Sequence, residues 1–87
     1  MINLNDKLSL EGYGLLLQNN ELTITKTLQN EYIVVDDNLT INVLEDVSVN
    51  ILDTSSNKNI VVIIDDNANV NYQIINSNSS NRRFVNN

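Results

Sequence analysis

Ile33-Val34-Val35-Asp36-Asp37-Asn38-Leu39-Thr40-Ile41-Asn42-Val43-Leu44 decides the fold, because the chain says it twice. It aligns without a gap on Val62-Ile63-Ile64-Asp65-Asp66-Asn67-Ala68-Asn69-Val70-Asn71-Tyr72-Gln73. Each copy is an aliphatic run, an Asp-Asp-Asn corner, and then apolar residues alternating with polar ones. Alternation with period two marks a strand with one buried face. Asp and Asn bond their own backbone and tolerate left-handed conformations, so they suit corners. A repeated strand–corner–strand unit predicts a stacked or layered β architecture.

The flanks carry the same grammar. Leu15-Leu16-Leu17, Gln18-Asn19-Asn20 and Leu22-Thr23-Ile24-Thr25 form a weaker third copy. The steps between copies are unequal. The step from Leu22 to Leu39 is the shorter, and the step from Val35 to Ile64 is longer because it holds an additional strand at Val47 to Ile51. Asp53 to Asn59 reads as a polar loop. Leu8 and Leu10 open an alternation that Gly12-Tyr13-Gly14 interrupts. Glycine inside a strand pattern marks a bulge, so Tyr13 is expected to point outward. No window of helical length sustains apolar residues at i, i+3, i+4 and i+7, and β-branched residues are dense. The expectation is an all-β chain of about seven strands, by run counting. One side of each corner is a continuous apolar run, which fits a short β-helix or β-roll of stacked strands better than a hairpin. A small antiparallel β-sandwich is the alternative, since a set of short strands in a chain of this size also fits it.

At 87 residues the chain allows one small domain, residues 1–87, with a polar Asn/Ser-rich tail over 76–87. It has no Cys for a disulfide, so oligomerisation is the expected way to support a modest core. Without His or Cys it lacks the usual zinc and iron ligands, the thiol nucleophile and the commonest general base. Ser55-Ser56 and Ser79-Ser80 have no basic partner at a suggestive spacing. One Phe and no Trp leave no aromatic platform for a sugar. The expectation is therefore a protein that is not an enzyme and uses no cofactor. A net charge of -6 repels phosphate, which excludes nucleic acid as a partner, and Arg82-Arg83 reads as a solvated tail. Residues 1–10 lack the apolar stretch of a signal peptide, and the longest apolar run, Ile60 to Ile64, is too short to span a bilayer. A cytoplasmic protein without a membrane partner is expected.

The segment Asn38-Leu39-Thr40-Ile41-Asn42-Val43-Leu44-Glu45, preceded by Ile33-Val34-Val35, resembles the aliphatic run, turn and Glu-terminated strand of the SufB/SufD family, scaffolds of bacterial iron–sulfur cluster assembly. The stretch from Asn59 to Asn76 is similar to the coil that follows in that family, and the resemblance covers about residues 28–78. It implies a right-handed parallel β-helix, subunits pairing through sheet edges, and partnership with an ATPase of the same assembly system. Glu45 is the one position matching a family acidic residue. That family's cores are several times longer, and its cluster chemistry is attributed to Cys, Glu and His, two of which this chain lacks. A shared fold does not carry a shared function.

Two sets of residues stand out as candidate sites. Asp36, Asp37 and Asn38, with Asp65, Asp66 and Asn67, offer oxygen ligands suited to calcium or magnesium, and stacked in register the two corners would face one another. Ordinary turn chemistry explains them better, since the Gly-rich nonapeptide of calcium-binding β-rolls is absent, and no metal is expected. Tyr13, Tyr32, Tyr72 and Glu45 are the candidate contact residues of an interface. Open strand edges are a further candidate, because no proline guards any strand. The functional expectation is a non-catalytic scaffold or protein-interaction module that uses its strand edges to bind another copy or an assembly-system partner. The alternative is a small divalent-cation-binding or carboxylate-based enzyme domain built on the Asp corners.

Overall fold

Parallel pairing of each strand with one on the next coil organises the chain. The computed structural model describes residues 1–75 and 79–87. Among them are nine strands: β1 (Ile2–Asn3), β2 (Leu15–Gln18), β3 (Glu21–Ile24), β4 (Leu28–Val35), β5 (Leu39–Val43), β6 (Ser48–Asp53), β7 (Asn59–Ile64), β8 (Asn69–Ile74) and β9 (Asn81–Asn86). From β3 onward successive strands alternate between two sheets, ordered β1-β4-β6-β8 and β2-β3-β5-β7-β9. Every pairing is parallel except the β2–β3 hairpin. The result is a β-solenoid of about three turns, and the antiparallel sandwich does not form.

Leu39 pairs with Ile60 and Ser48 with Asn69, and these equal steps define one regular coil. The longer step of the repeated phrase, from Val35 to Ile64, is therefore not the coil. Asp36-Asp37-Asn38 carries the chain from the first sheet to the second, between β4 and β5, whereas Asp65-Asp66-Asn67 carries it back, between β7 and β8. The two corners lie on opposite seams and do not stack. Both seams need polar residues that turn tightly, so similar words arise at non-equivalent places. The true equivalent of Asp65-Asp66-Asn67 is Leu44-Glu45-Asp46. Both corners close with the same bond, Val47 N–H to Leu44 O and Ala68 N–H to Asp65 O, each 3.1 Å. Asp46 and Asn67 take the same left-handed position, at φ 66° and 60°. Positive φ at the third residue alone is the requirement of a type II turn.

The register stacks inward side chains in columns. Leu22, Ile41 and Val62 line up in the second sheet, and Ile33 and Ile51 in the first, all with no exposed surface. Each such fully buried side chain contributes about 1.5–3 kcal/mol through the hydrophobic effect. Between them Thr23, Asn42 and Asn50 face outward, and so do Val34, Val61 and Ile63 of the apolar runs, so the outer faces are polar with an apolar admixture.

The two ends of the chain depart from expectation. Residues 7–10 form a short helix, α1 (Lys7–Leu10), which runs into a 3-10 turn at Glu11–Tyr13. Gly12-Tyr13-Gly14 is thus no strand bulge. Gly14, at φ 74°, ends the turn and donates its N–H to Glu11 O, and Tyr13 packs half-buried against the core instead of pointing outward. Leu8 is exposed while Leu10 is buried, so their alternation belongs to a helical cap and not to a strand. In the expected polar tail, residues 81–86 are β9, paired with β7 from Asn59↔Asn81 to Ile64↔Asn86. Residues 76–78 of that tail lie outside the described residues.

The left-handed corner residue should respond to substitution by backbone rather than by side chain. Asn67→Gly keeps stability within about 0.5 kcal/mol of the parent, because Gly takes positive φ freely. Asn67→Ala loses about 1–2 kcal/mol, the cost of a left-handed position for a residue with a Cβ and no local bonding group. Urea denaturation of both variants checks it, and equal losses would contradict the turn assignment.

Candidate functional site

Burial falls away toward the last coil. In the column Ile41–Val62–Phe84 the first two side chains are fully buried, while Phe84 is 51% exposed. Ile74 and Ile75, at the end of β8, are also exposed. Among the described residues β8 ends the first sheet and β9 the second, with no strand beyond either. Asn69 N–H donates to Val47 O and Ile75 N–H to Asp53 O. In a parallel ladder alternate N–H groups turn to opposite neighbours, so those of Val70, Tyr72 and Ile74 face the free edge. Asn81 N–H donates to Lys58 O and Asn87 N–H to Ile64 O, which leaves Arg82, Phe84 and Asn86 facing out in the same way.

Amide ladders on the outer faces share this polarity. Asn50 donates its Nδ2 to Gln29 O at 2.9 Å, and that carbonyl fixes which way the amide points. Asn71 Nδ2 then donates to Asn50 Oδ1 at 3.2 Å. In the other sheet Asn81 Nδ2 donates to Asn59 Oδ1 at 3.0 Å. Each amide bonds back to the preceding coil, so the last oxygens, on Asn71 and Asn81, are turned toward whatever lies beyond.

Just beneath this open end the core turns polar. Asp53 continues the inward column begun by Val35, and Arg82 continues that of Leu39 and Ile60. Their side chains meet between the sheets, with Arg82 Nε 2.6 Å from Asp53 Oδ2 and Asp53 fully buried. Tyr72 donates its hydroxyl to the same Oδ2, and the Ser55 N–H donates to Oδ1 at 2.8 Å. Ser55 Oγ and Ser80 Oγ share a bond of 2.8 Å. Tyr72 also meets Phe84 edge to face, ring centroids 5.1 Å apart. Among the described residues no buried side-chain nitrogen or oxygen lacks a partner.

Burial alone would push the Asp53 carboxyl up; Arg82, Ser55 and Tyr72 together outweigh it and hold the group below the ordinary carboxylate range. Burial, then the bond to Asp53, pushes the Tyr72 hydroxyl up. The bond to Asp53 likewise raises Arg82. The carboxylate is thus a weakened base with its lone pairs in use. The cluster is a staple that ties β6, β8 and β9 together, not a set of groups poised for proton transfer.

These residues lie elsewhere than the local pattern of the chain predicts. Arg82, expected in a solvated tail, is a half-buried ion-pair partner because β9 carries it inward. Asp53, expected to start a loop, is the last inward residue of β6. The signal that finds both is the coil register, which sets Asp53 over Val35 in one apolar column and Arg82 over Ile60 in another. Of the four expected contact residues, Tyr72 lies at the open end and belongs to the staple. Tyr13 sits at the opposite cap, Tyr32 accepts a bond from Gln73 on an outer face, and Glu45 is an exposed corner residue. They do not form one patch.

The Asp corners are also separate. Asp37 pairs with Lys58 at 3.7 Å, and Asn38 Oδ1 accepts the Asn59 N–H at 2.9 Å. On the other seam Asp65 Oδ1 accepts from Asn87 Nδ2 at 3.1 Å. Among the described residues no three of the Asp and Glu side chains converge as a metal would require. Comparison with protein families, with curated proteins and with solved structures finds no match to this chain.

The staple makes stability depend on acid. Asp53 has a lower pKa folded than unfolded, so its contribution is full above the unfolded value of about 3.9 and is lost as pH falls through the folded one. Asp53→Asn costs about 3 kcal/mol at pH 7, the lower end for a broken buried pair because Arg82 keeps a path to water. Its stability falls less steeply below pH 4 than the parent's. Denaturant titrations at stepped pH check both; parallel curves would show that Asp53 is not held ionised by its partners.

Proposed function

We propose that this chain is a non-catalytic protein-interaction module that works through the strand edges at the C-terminal end of its solenoid. The observation that carries the reading is that, among the described residues, no strand pairs with the outward edges of β8 and β9, where Ile74, Ile75 and Phe84 are exposed. Open edges must be covered, charged or used, and strand addition supplies both main-chain bonds and side-chain pockets. Beneath the edge the bonds of Asp53 to Arg82 and Tyr72 tie β8 and β9 together, and an edge ordered beforehand lowers the cost of binding. The module acts in the cytoplasm on a second copy or a protein of an assembly system. The narrower version, a component of iron–sulfur cluster assembly, stands on the resemblance over residues 28–78 alone.

Site-specific photocrosslinking in cells that make the protein tests the reading. A photoreactive amino acid at position 84 or 74 is expected to give discrete protein adducts, and one at Thr40, on the outer face of the middle coil, none. Adducts from Thr40 alone, or none from either end position, would overturn it.

A further inference from the structure

The two ends of the solenoid are built differently, and the difference selects a partner. At the first end, β1 is only two residues long, β2 folds back antiparallel, and α1 packs beside it. A strand arriving there meets a partial cover: α1 lies across β2, although Met1, Leu8 and Leu16 stay exposed beside an open groove of about 420 Å³ between α1, Gly14 and β2. At the last end nothing among the described residues covers β8 and β9.

Charge is sorted the same way. The chain is acidic, yet residues 67–87 contain no Asp or Glu and hold both of its arginines. Arg82 is neutralised inside by Asp53. Among the described residues Arg83 is then the one uncompensated side-chain charge on the last two strands. Across the middle coils, where residues 31–66 hold eight of the eleven acidic residues against one Lys, two copies repel one another. At this end they can approach, because the face is apolar and amide-rich.

Building on the strand-edge reading above, we infer that the occupant of this end is a second copy of the same chain, docked tail to tail about a twofold axis. The twofold runs the paired edge strands antiparallel and joins each two-sheet stack to its mate. It covers Ile74, Ile75 and Phe84 of both copies together. The N–H groups of Val70, Tyr72, Ile74, Arg82, Phe84 and Asn86 meet carbonyls of the partner's edges. Such an isologous contact closes at two and leaves both capped ends outside, whereas a head-to-tail contact would go on adding copies. Each edge is six residues, about 20 Å at about 3.3 Å per residue. The interface is therefore at the small end of specific contacts, and the dimer dissociates on dilution.

Sedimentation velocity of the full chain over a wide concentration range tests this. The expected result is a reversible monomer–dimer equilibrium that stops at two. Asn86→Pro removes an edge-facing N–H without touching a bond inside the chain, and Ile74→Lys places charge in the contact. Each weakens the dimer at least about tenfold, with circular dichroism showing an unchanged fold. Leu16→Lys, on the capped end, leaves the dimer constant unaltered. A monomer at every concentration, species growing beyond two, or dissociation by Leu16→Lys but not by the other two would each overturn the inference. The strand-edge reading fails separately, since it requires only end-specific crosslinks, whatever the mass of the captured protein.

Discussion

Everything in this molecule depends on parallel, in-register pairing of each coil with the next. Parallel strands cannot be joined by a tight hairpin, so each must send the chain across to a second sheet and back. That return journey creates two seams, and each seam needs a tight polar corner. Outside the irregularity between Leu28 and Tyr32 of β4, register then places inward residues over inward residues of the previous coil. Leu22, Ile41 and Val62 become one continuous apolar column from three separate stretches of sequence. A core this thin owes its stability to those columns, because each coil buries its inner face only against neighbouring coils and the facing sheet.

The same constraint fixes where the molecule must be different. A solenoid has no lateral edge, but it has two ends, and both must be managed. The first end is partly covered by local means: a short helix, a 3-10 turn halted by Gly14 at positive φ, and an antiparallel hairpin. The last end is left without such a cover among the described residues. There the apolar columns give way to Asp53, Tyr72 and Arg82, a polar layer in which, among the described residues, every buried group is paired. An ion pair of this kind adds little net stability over a well-packed apolar layer. Its consequence is positional: it ties β6 and β8 of one sheet to β9 of the other.

Much of the architecture could be read from residues. Period-two alternation through Leu39, Ile41 and Val43, and the scarcity of helical spacing, pointed to stacked strands. The coil length could not be read, because the clearest repeat, Val35 against Ile64, compares opposite seams that share corner chemistry for the same local reason. Leu44-Glu45-Asp46 is a poor textual match to Asp65-Asp66-Asn67, although both make the same turn; a Leu and an Asp can each occupy positions that the backbone, not the side chain, specifies. Without the coil length, Asp53 and Arg82 looked like loop and tail. Their pairing is a long-range consequence of register, and no local pattern announces it. The cap was hidden for another reason: a helix of a single turn is too short to show a period.

The edge that β8 and β9 leave open among the described residues is the feature on which the molecule's proposed role turns, and residue-resolved amide hydrogen exchange tests it most directly. In dilute solution the amides of Val70, Tyr72, Ile74, Arg82, Phe84 and Asn86 should exchange fast, while those of Asn71, Gln73, Arg83 and Val85, bonded back into the stack, are protected. The amides of β5 should be protected at every position, because neighbours flank that strand on both sides. Uniform protection along β8 and β9 in the monomer, or uniform exchange along β5, would contradict the parallel coil that ends in an open edge.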